Sequence, residues 1–278
     1  MAKVEGVGTL VFIGCGAMGA AILKALLAAK LATENDIVAA VPTEKRQSYL
    51  QKTYGIKATG DNVAAVKNAE LVVLAVKPQM AKTAITKEVA EAIPAACTVV
   101  SIMGSVDLEM IHALVPNRPA IRVMPNTPLA VGEGMTALTP DEQVSDAALE
   151  TVKKIFASCG QVEVVAESAM EAITAISGCG PGYCFVLIDA LADAGVKAGL
   201  PRALAIKLAA QTFMGSGKMA VETGMHPAQL RDQVTSPGGT TIAGIHALEE
   251  HAVRAAMYDA VEAVLARSEE LKGKKDGR

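Results

Sequence analysis

Apolar residues follow two different patterns along this chain. Up to about residue 165, short unbroken apolar runs alternate with segments whose apolar residues recur every three or four positions. Such runs are typical of strands buried on both faces of a parallel sheet, and the second spacing is typical of amphipathic helices. After residue 165 the strand-like runs stop and long Ala/Leu/Ile-rich stretches take over. The pattern predicts an α/β domain followed by an all-α domain.

The α/β part can be divided into elements on this pattern. Strands are predicted over residues 10–13, 36–41, 71–76, 98–103, 120–124, 132–138 and 161–165, in a sheet of about eight strands. Helices are predicted over residues 17–30, 44–54, 82–93 and 145–158. We assign residues 1–165 to this domain and residues 166–278 to the helical one.

A glycine motif follows the first predicted strand directly. Gly14-Cys15-Gly16-Ala17-Met18-Gly19 has the G-x-G-x-x-G spacing, with a strand before it and a helix after it. In that context the first glycine allows a tight turn, the second lets the backbone approach a pyrophosphate and the third lets the helix pack on the strand. The helix start would offer unpaired N–H groups to the phosphates. The motif predicts dinucleotide binding; the alternative is a glycine-rich turn without a ligand.

The end of the second strand bears on the choice of dinucleotide. Val41-Pro42 stands where NAD-binding domains usually place an acidic residue for the ribose hydroxyls. The next residues include Lys45 and Arg46, whose cations could hold a 2′-phosphate. We therefore expect NADP(H) to be preferred, while Glu44 keeps NAD(H) open. Both cations could instead belong to a solvated first turn of the helix.

Further turns follow other predicted strands. Ala75-Val76-Lys77-Pro78, Met103-Gly104 and Pro125-Asn126-Thr127-Pro128 each come after an apolar run. Open α/β sheets bind their ligands at the carboxyl ends of the strands, so we expect these turns to line the cofactor cleft.

The helical domain is predicted to contain helices over residues 167–176, 183–198, 202–222 and 240–271. Two glycine-rich segments interrupt it. Residues 177–183 hold three glycines and a proline, which suits a close backbone approach or a plain helix kink. Ser236-Pro237-Gly238-Gly239-Thr240-Thr241 precedes a helix, which suits an anion-binding turn or a simple helix cap.

Composition narrows the possible partners. The 278 residues are 51% hydrophobic and 20% charged with a formal net charge of −3, so neither a basic nucleic-acid surface nor a membrane span is expected. The cysteines are five in number and never in C-x-x-C spacing, and the four histidines match no metal motif, so we expect reduced thiols, a cytoplasmic protein and no metal. The cysteines are Cys15, Cys97, Cys159, Cys179 and Cys184.

Taken together, the motifs resemble the pyrroline-5-carboxylate reductase family over nearly the whole chain. They are residues 12–19, 75–78, 122–128 (Arg-Val-Met-Pro-Asn-Thr-Pro), 191–196 (Leu-Ala-Asp-Ala-Gly-Val) and the segment from His226-Pro227 to Thr241. The resemblance implies a Rossmann-type domain, a helical dimerisation domain and NAD(P)H as cofactor. The implied reaction is reduction of L-1-pyrroline-5-carboxylate to L-proline, the last step of proline biosynthesis.

The resemblance also implies site residues. Thr241 would hydrogen-bond the ring nitrogen as the catalytic residue, and substrate contacts would fall on Val234, Ser236, Gly238, Gly239 and Thr241. Cofactor contacts would fall on Ile13, Gly14, Cys15, Gly16, Ala17, Met18, Val41, Asn62, Ala75, Val76, Lys77, Pro78, Ile102, Met103 and Gly104. The chain departs from the family pattern at Cys179 and Gly182, where Ser and Ala are usual, and at Met103-Gly104-Ser105.

Two other functions share parts of the pattern. A β-hydroxyacid-type dehydrogenase would want a catalytic lysine on the first helix after the sheet, and residues 167–176 contain none. A non-catalytic dinucleotide-binding regulator would keep the glycine motif and have no need of residues 236–241.

The sequence also bears on assembly. Residues 203–214 are apolar nearly all round, which predicts burial in an interwoven homodimer or a larger ring such as a decamer.

Overall fold

The computed structural model describes residues 8–273 and divides into two compact units, Met1–Gly178 and Cys179–Arg278. The division lies C-terminal of the predicted one at residue 165, because the first helical residues after the sheet pack against it. The buried Arg122 guanidinium pairs with the carboxylates of Glu167 at 3.3 Å and Glu171 at 3.1 Å. These contacts hold the start of the helical segment on the α/β unit.

The first unit is built on one eight-stranded sheet, in the order β3-β2-β1-β4-β5-β6-β7-β8. Strands β1 to β6 run parallel, β7 is antiparallel to β6, and β8 is parallel to β7. The strands are β1 Leu10–Ile13, β2 Ile37–Ala40, β3 Lys57–Thr59, β4 Leu71–Leu74, β5 Thr98–Ser101, β6 Ala120–Pro125, β7 Gly134–Pro140 and β8 Gly160–Val164. The predicted fold class is confirmed, and β3 is the strand that the apolar pattern did not place.

Alternate residues of each strand point to opposite faces of the sheet. Since both sets are apolar and buried, helices cover both faces. Leu10 and Phe12 pack with α1, α2 and α7, whereas Val11 and Ile13 pack with α3 to α6. The α-helices are α1 Ala17–Ala28, α2 Glu44–Tyr54, α3 Asn62–Val66, α4 Ala81–Ala84, α5 Lys87–Ala92, α6 Leu108–Leu114, α7 Asp146–Ala157 and α8 Met170–Ile173. Short 3₁₀ turns lie at Glu34–Asp36, Pro78–Met80, Thr127–Val131 and Glu167–Ala169.

The second unit consists of helices around a small alanine core. Ala192, Ala205 and Ala209 are buried between α9 and α10. Large apolar side chains on the same helices stay exposed in the single chain, including Phe185 at 63% and Met214 at 56%. The helices are α9 Gly180–Lys197, α10 Arg202–Thr223, α11 Pro227–Gln233, α12 Thr240–Glu250 and α13 Val253–Gly273.

The glycine-rich segment 177–183 does not end the helical path. After α8 the chain widens into a π-helical turn, Thr174–Gly178, and continues into α9 after a bend at Cys179. The resulting stretch Glu167–Lys197 is long and apolar enough, by length and composition alone, to cross a bilayer. Such a length does not by itself indicate a membrane span, because the core helix of a soluble protein can have the same length and composition. The first turns of this stretch are ion-paired to Arg122 in the sheet.

Candidate dinucleotide site and glycine-rich loop

The predicted cofactor turns meet at one edge of the sheet. The strand order reverses between β1 and β4, which is where open α/β sheets bind nucleotides. Backbone hydrogen bonds fix the ends of neighbouring strands together: Gly14 N donates to Ala40 O at 2.8 Å, Ala75 N to Ile13 O at 2.9 Å, and Ile102 N to Leu74 O at 3.1 Å. The structure thus brings together the turns after β1, β2, β4 and β5.

The first two motif glycines have different reasons to lack a side chain. Gly14 has φ +78°, and a Cβ there would lie 2.6 Å from Val76 Cγ1 and 2.9 Å from Ala75 O. At Gly16 a Cβ would meet nothing within 4 Å, and Gly16 is the N-cap residue of α1. Gly14 is therefore required by the fold, whereas Gly16 leaves open space in front of a helix N-terminus, as a pyrophosphate site needs.

The third motif glycine departs from expectation. A Cβ at Gly19 would lie 3.5 Å from Ala75 Cβ and 3.6 Å from Cys15 Sγ, which are ordinary van der Waals distances. Close packing of α1 on the sheet therefore does not demand glycine at this position.

Arg46 reaches back from α2 to the glycine turn. Its Nε donates to Cys15 O at 2.8 Å and its Nη2 donates to Gly16 O at 3.2 Å, so the side chain is not merely solvated. Its neighbour Lys45 is exposed. A positive charge therefore lies beside the turn that the sequence assigns to the pyrophosphate.

Several predicted cofactor residues turn their side chains away from solvent. Ile13, Val41 and Met103 are at most 3% exposed and belong to the hydrophobic core, so only their backbone can face a ligand. The Asn62 side-chain amide donates to Ala84 O at 2.8 Å and joins α3 to α4. By contrast Gly16, Ala17, Lys77 and Gly104 are exposed, and Met18, Ala75, Val76, Pro78 and Ile102 are half-buried.

Cys15 contributes a neutral group to the turn. Burial raises the pKa of its thiol from 9.0 to about 11, with the Arg46 charge acting in the opposite direction. The thiol is therefore protonated at neutral pH and adds no negative charge beside a bound phosphate.

The second unit presents the predicted substrate residues on an exposed loop. Gly238 has φ +68°, and Gly239 N donates to Ser236 O at 3.0 Å to close a turn. The N-cap residue of α12 is Gly239 rather than a threonine, and it has no side chain to bond the first N–H groups. Val234, Ser236 and Thr241 are exposed around this helix start. Because no side chain caps the first N–H groups of α12, these groups are more available to an anion than they would be in a Thr-capped helix.

Tyr49, which lies near the predicted cofactor turns, was not among the predicted residues. The Arg46 guanidinium carbon lies 4.8 Å from the ring centroid of Tyr49, which itself is 46% exposed. The signal was present in the sequence, because residues three apart on a helix are neighbours.

In the described residues 8–273, no group of three or more His, Cys, Asp or Glu side chains is placed to hold a metal ion.

Comparison with known proteins identifies the relatives of this chain. A family model described as pyrroline-5-carboxylate reductase dimerisation matches residues 167–271, and one described as NADP oxidoreductase, coenzyme F420-dependent, matches residues 9–105. A pyrroline-5-carboxylate reductase from Synechocystis sp. is 45% identical over 263 residues, covering 95% of this chain and 97% of the relative. This chain belongs to the pyrroline-5-carboxylate reductase family.

Solved structures agree with this membership. The pyrroline-5-carboxylate reductase of Coxiella burnetii superposes with a TM-score of 0.89 at 33% identity, covering 96% of this chain and 99% of the other. The pyrroline carboxylate reductase of Plasmodium falciparum, crystallised with NADP bound, gives 0.83 at 31% identity, covering 95% and 97%. The family expectation drawn from the motifs is confirmed, and with it a Rossmann-type domain followed by a dimerisation domain.

Proposed function

We propose that this enzyme reduces L-1-pyrroline-5-carboxylate to L-proline with NAD(P)H, as the last step of proline biosynthesis. The observation that carries the proposal is the open backbone at Gly16 before α1, in a chain of which 95% aligns with a reductase of this name. The relatives and solved structures compared above carry the name of this reductase, which favours this reaction over a β-hydroxyacid-type dehydrogenase or a non-catalytic regulator.

The residues of the chain have distinct tasks in this reaction. Gly16 and the start of α1 hold the pyrophosphate, and the turns after β4 and β5 line the remainder of the dinucleotide. When bound, the reduced nicotinamide supplies the hydride. The substrate C=N bond is electrophilic once it is protonated, so the protein needs to position it rather than to provide a strong general acid.

The loop from Val234 to Thr241 is assigned to the substrate. The turn at Gly238 and Gly239 leaves the first backbone N–H groups of α12 without a side-chain cap, and the ring carboxylate is stabilised there. The Thr241 hydroxyl can both donate and accept, so it hydrogen-bonds the ring nitrogen as the imine becomes an amine.

A direct assay tests the function. The purified protein is mixed with NADPH and pyrroline-5-carboxylate, loss of the reduced-nicotinamide absorbance is followed, and proline is identified by mass spectrometry. We expect turnover that depends on both reactants, with a carbonyl analogue of the substrate giving little. Tight NADPH binding without any proline formed would contradict the proposal and favour a regulator.

The preference for NADP(H) over NAD(H) rests on the cations after β2. Lys45 is exposed, and Val41 is followed by no acidic residue until Glu44. Replacing Lys45 by Met should raise the Michaelis constant for NADPH about threefold to tenfold, because one charge contact to the 2′-phosphate is lost, and should leave that for NADH unchanged. Parallel steady-state kinetics with both nucleotides check this. A parental preference for NADH, unaltered by Lys45→Met, would contradict the preference.

The assembly is proposed to be a homodimer, built into a larger ring such as a decamer. On α10, Leu204, Ile206 and Leu208 are each more than 40% exposed in the single chain, which a soluble enzyme covers with a second copy. We expect light scattering at micromolar concentration to give at least twice the chain mass of 28.6 kDa. A monomer would contradict this prediction.

The proposal also covers partners and location. The partner is a small-molecule substrate, with neither nucleic acid nor membrane as a partner, and the setting is cytoplasmic.

A further inference from the structure

We propose that Arg46 is a positioning residue for the pyrophosphate-binding turn, and that Tyr49 fixes the direction of its side chain. This inference rests on the proposed use of the glycine turn for a dinucleotide. It assigns Arg46 a role for both NADH and NADPH, in addition to any contact with a 2′-phosphate.

The first argument is the pair of hydrogen bonds from Arg46 to the turn. Nε and Nη2 donate to two successive carbonyls, those of Cys15 at 2.8 Å and Gly16 at 3.2 Å. Gly16 O also accepts from Ala20 N at 3.0 Å in the first turn of α1. With its carbonyls held on one side, the peptide units of this turn are fixed in orientation, which is what an N–H-lined phosphate site requires.

The second argument concerns the remaining donors of the same guanidinium. Arginine has five N–H donors in a planar fork, and the contacts to Cys15 and Gly16 occupy one edge of it. The opposite edge can receive a phosphate without releasing the turn. Arg46 therefore links the recognition of the 2′-phosphate to the shape of the pyrophosphate site.

The third argument is the aromatic support of Arg46. Tyr49 lies on the same face of α2, with its ring centroid 4.8 Å from the guanidinium carbon, and it meets the Tyr54 ring edge to face at a centroid separation of 6.2 Å. A cation stacked on an aromatic face loses part of its rotational freedom. Tyr49 thus holds Arg46 against the turn before any ligand arrives.

Equilibrium binding of NADH and NADPH to the full-length protein, measured by nucleotide fluorescence without substrate, tests the proposal. Arg46→Met should weaken both nucleotides, NADH by about tenfold and NADPH by more, because the turn and the phosphate contact are both lost. Arg46→Lys, which keeps the charge but not the fork, should weaken NADH nearly as much. The control Lys52→Met removes a positive charge from an exposed position in the last turn of α2 and should leave NADH binding unchanged. Thermal unfolding verifies that each variant is folded.

Variants of Tyr49 distinguish the effect of its stacking on Arg46 from the effect of the Arg46 charge alone. Tyr49→Leu should weaken NADH about threefold, and Tyr49→Phe should restore parental binding because it keeps the ring. Unaltered NADH affinity in folded Arg46→Met would overturn the proposal and leave Arg46 as a 2′-phosphate ligand only. Binding is measured without pyrroline-5-carboxylate, so the role of Arg46 can be judged even if the protein does not reduce that compound. If the parental protein binds neither nucleotide, the proposed function and this inference fail together.

Discussion

Replacing Gly16 by Val is expected to leave the fold intact and to lower the affinity for NADPH by about a hundredfold or more. A Cβ at Gly16 meets nothing within 4 Å and φ is −76°, so the protein itself tolerates a side chain there. The added methyl groups would occupy the space through which the pyrophosphate approaches the backbone. Loss of about 2.7 kcal/mol of binding free energy corresponds to that factor. Fluorescence titration with NADPH and thermal unfolding measure the two effects separately.

The other motif glycines serve as matched controls. Gly19→Ala should bind NADPH normally, because its Cβ makes only ordinary contacts of 3.5 Å or more. Gly14→Ala should destabilise the protein, since its positive φ and the 2.9 Å approach to Ala75 O are incompatible with a side chain. Parental NADPH affinity in a folded Gly16→Val protein would mean that this turn does not face the pyrophosphate.

The central elements of the fold were predictable because local sequence and tertiary position favour the same structure. Strand β1, Leu10–Ile13, is an unbroken apolar run and is fully buried on both faces. Helix α2, Glu44–Tyr54, begins after Thr43, whose hydroxyl accepts from Arg46 N at 3.4 Å, and ends at Gly55 with φ +73°. Both elements have the predicted bounds because their signals lie within them or directly beside them.

Elements without such signals were missed or wrongly bounded. Strand β3, Lys57–Thr59, is a three-residue edge strand whose pattern carries almost no apolar residues. The segment predicted as one helix over residues 240–271 is two, because Ala252 adopts φ +53° between α12 and α13. No glycine or proline marks that break, so the sequence pattern runs through it.

That the candidate cofactor turns meet at one edge of the sheet was predictable, whereas the directions of their side chains were not. Parallel strands place their carboxyl ends together, and this alone locates Gly14, Ala75 and Gly104 near one another. Whether a side chain faces the ligand or the core depends on packing, and Met103, at 3% exposure, faces the core. The contact of Arg46 with Gly16 joins residues 30 apart in the sequence, which no spacing rule connects.

The largest effect on the reaction itself is expected from Thr241. In Thr241→Val the shape of the side chain is kept and only the hydroxyl is lost, at an exposed position in the first turn of α12. A hydrogen bond to a charged group contributes about 1.5–3 kcal/mol, so kcat/KM for pyrroline-5-carboxylate should fall about tenfold to a hundredfold. The dissociation constant of NADPH should not change. Steady-state kinetics with varied substrate, together with NADPH titration, measure both.

The neighbouring Thr240 provides the control for that substitution. Thr240→Val makes the same chemical change one residue away in the same exposed turn, so it should retain parental kcat/KM. A valine at Gly239 would be a poorer probe, because its Cβ would lie 3.1 Å from the backbone Ser236 O and would require the Ser236 side chain to rotate, irrespective of any ligand. Equal kinetics for the parent and both threonine variants would show that the Thr241 hydroxyl takes no part in the reaction. A loss confined to Thr241→Val would place that hydroxyl at the reacting nitrogen, since a purely structural loss at this helix start would affect both threonines.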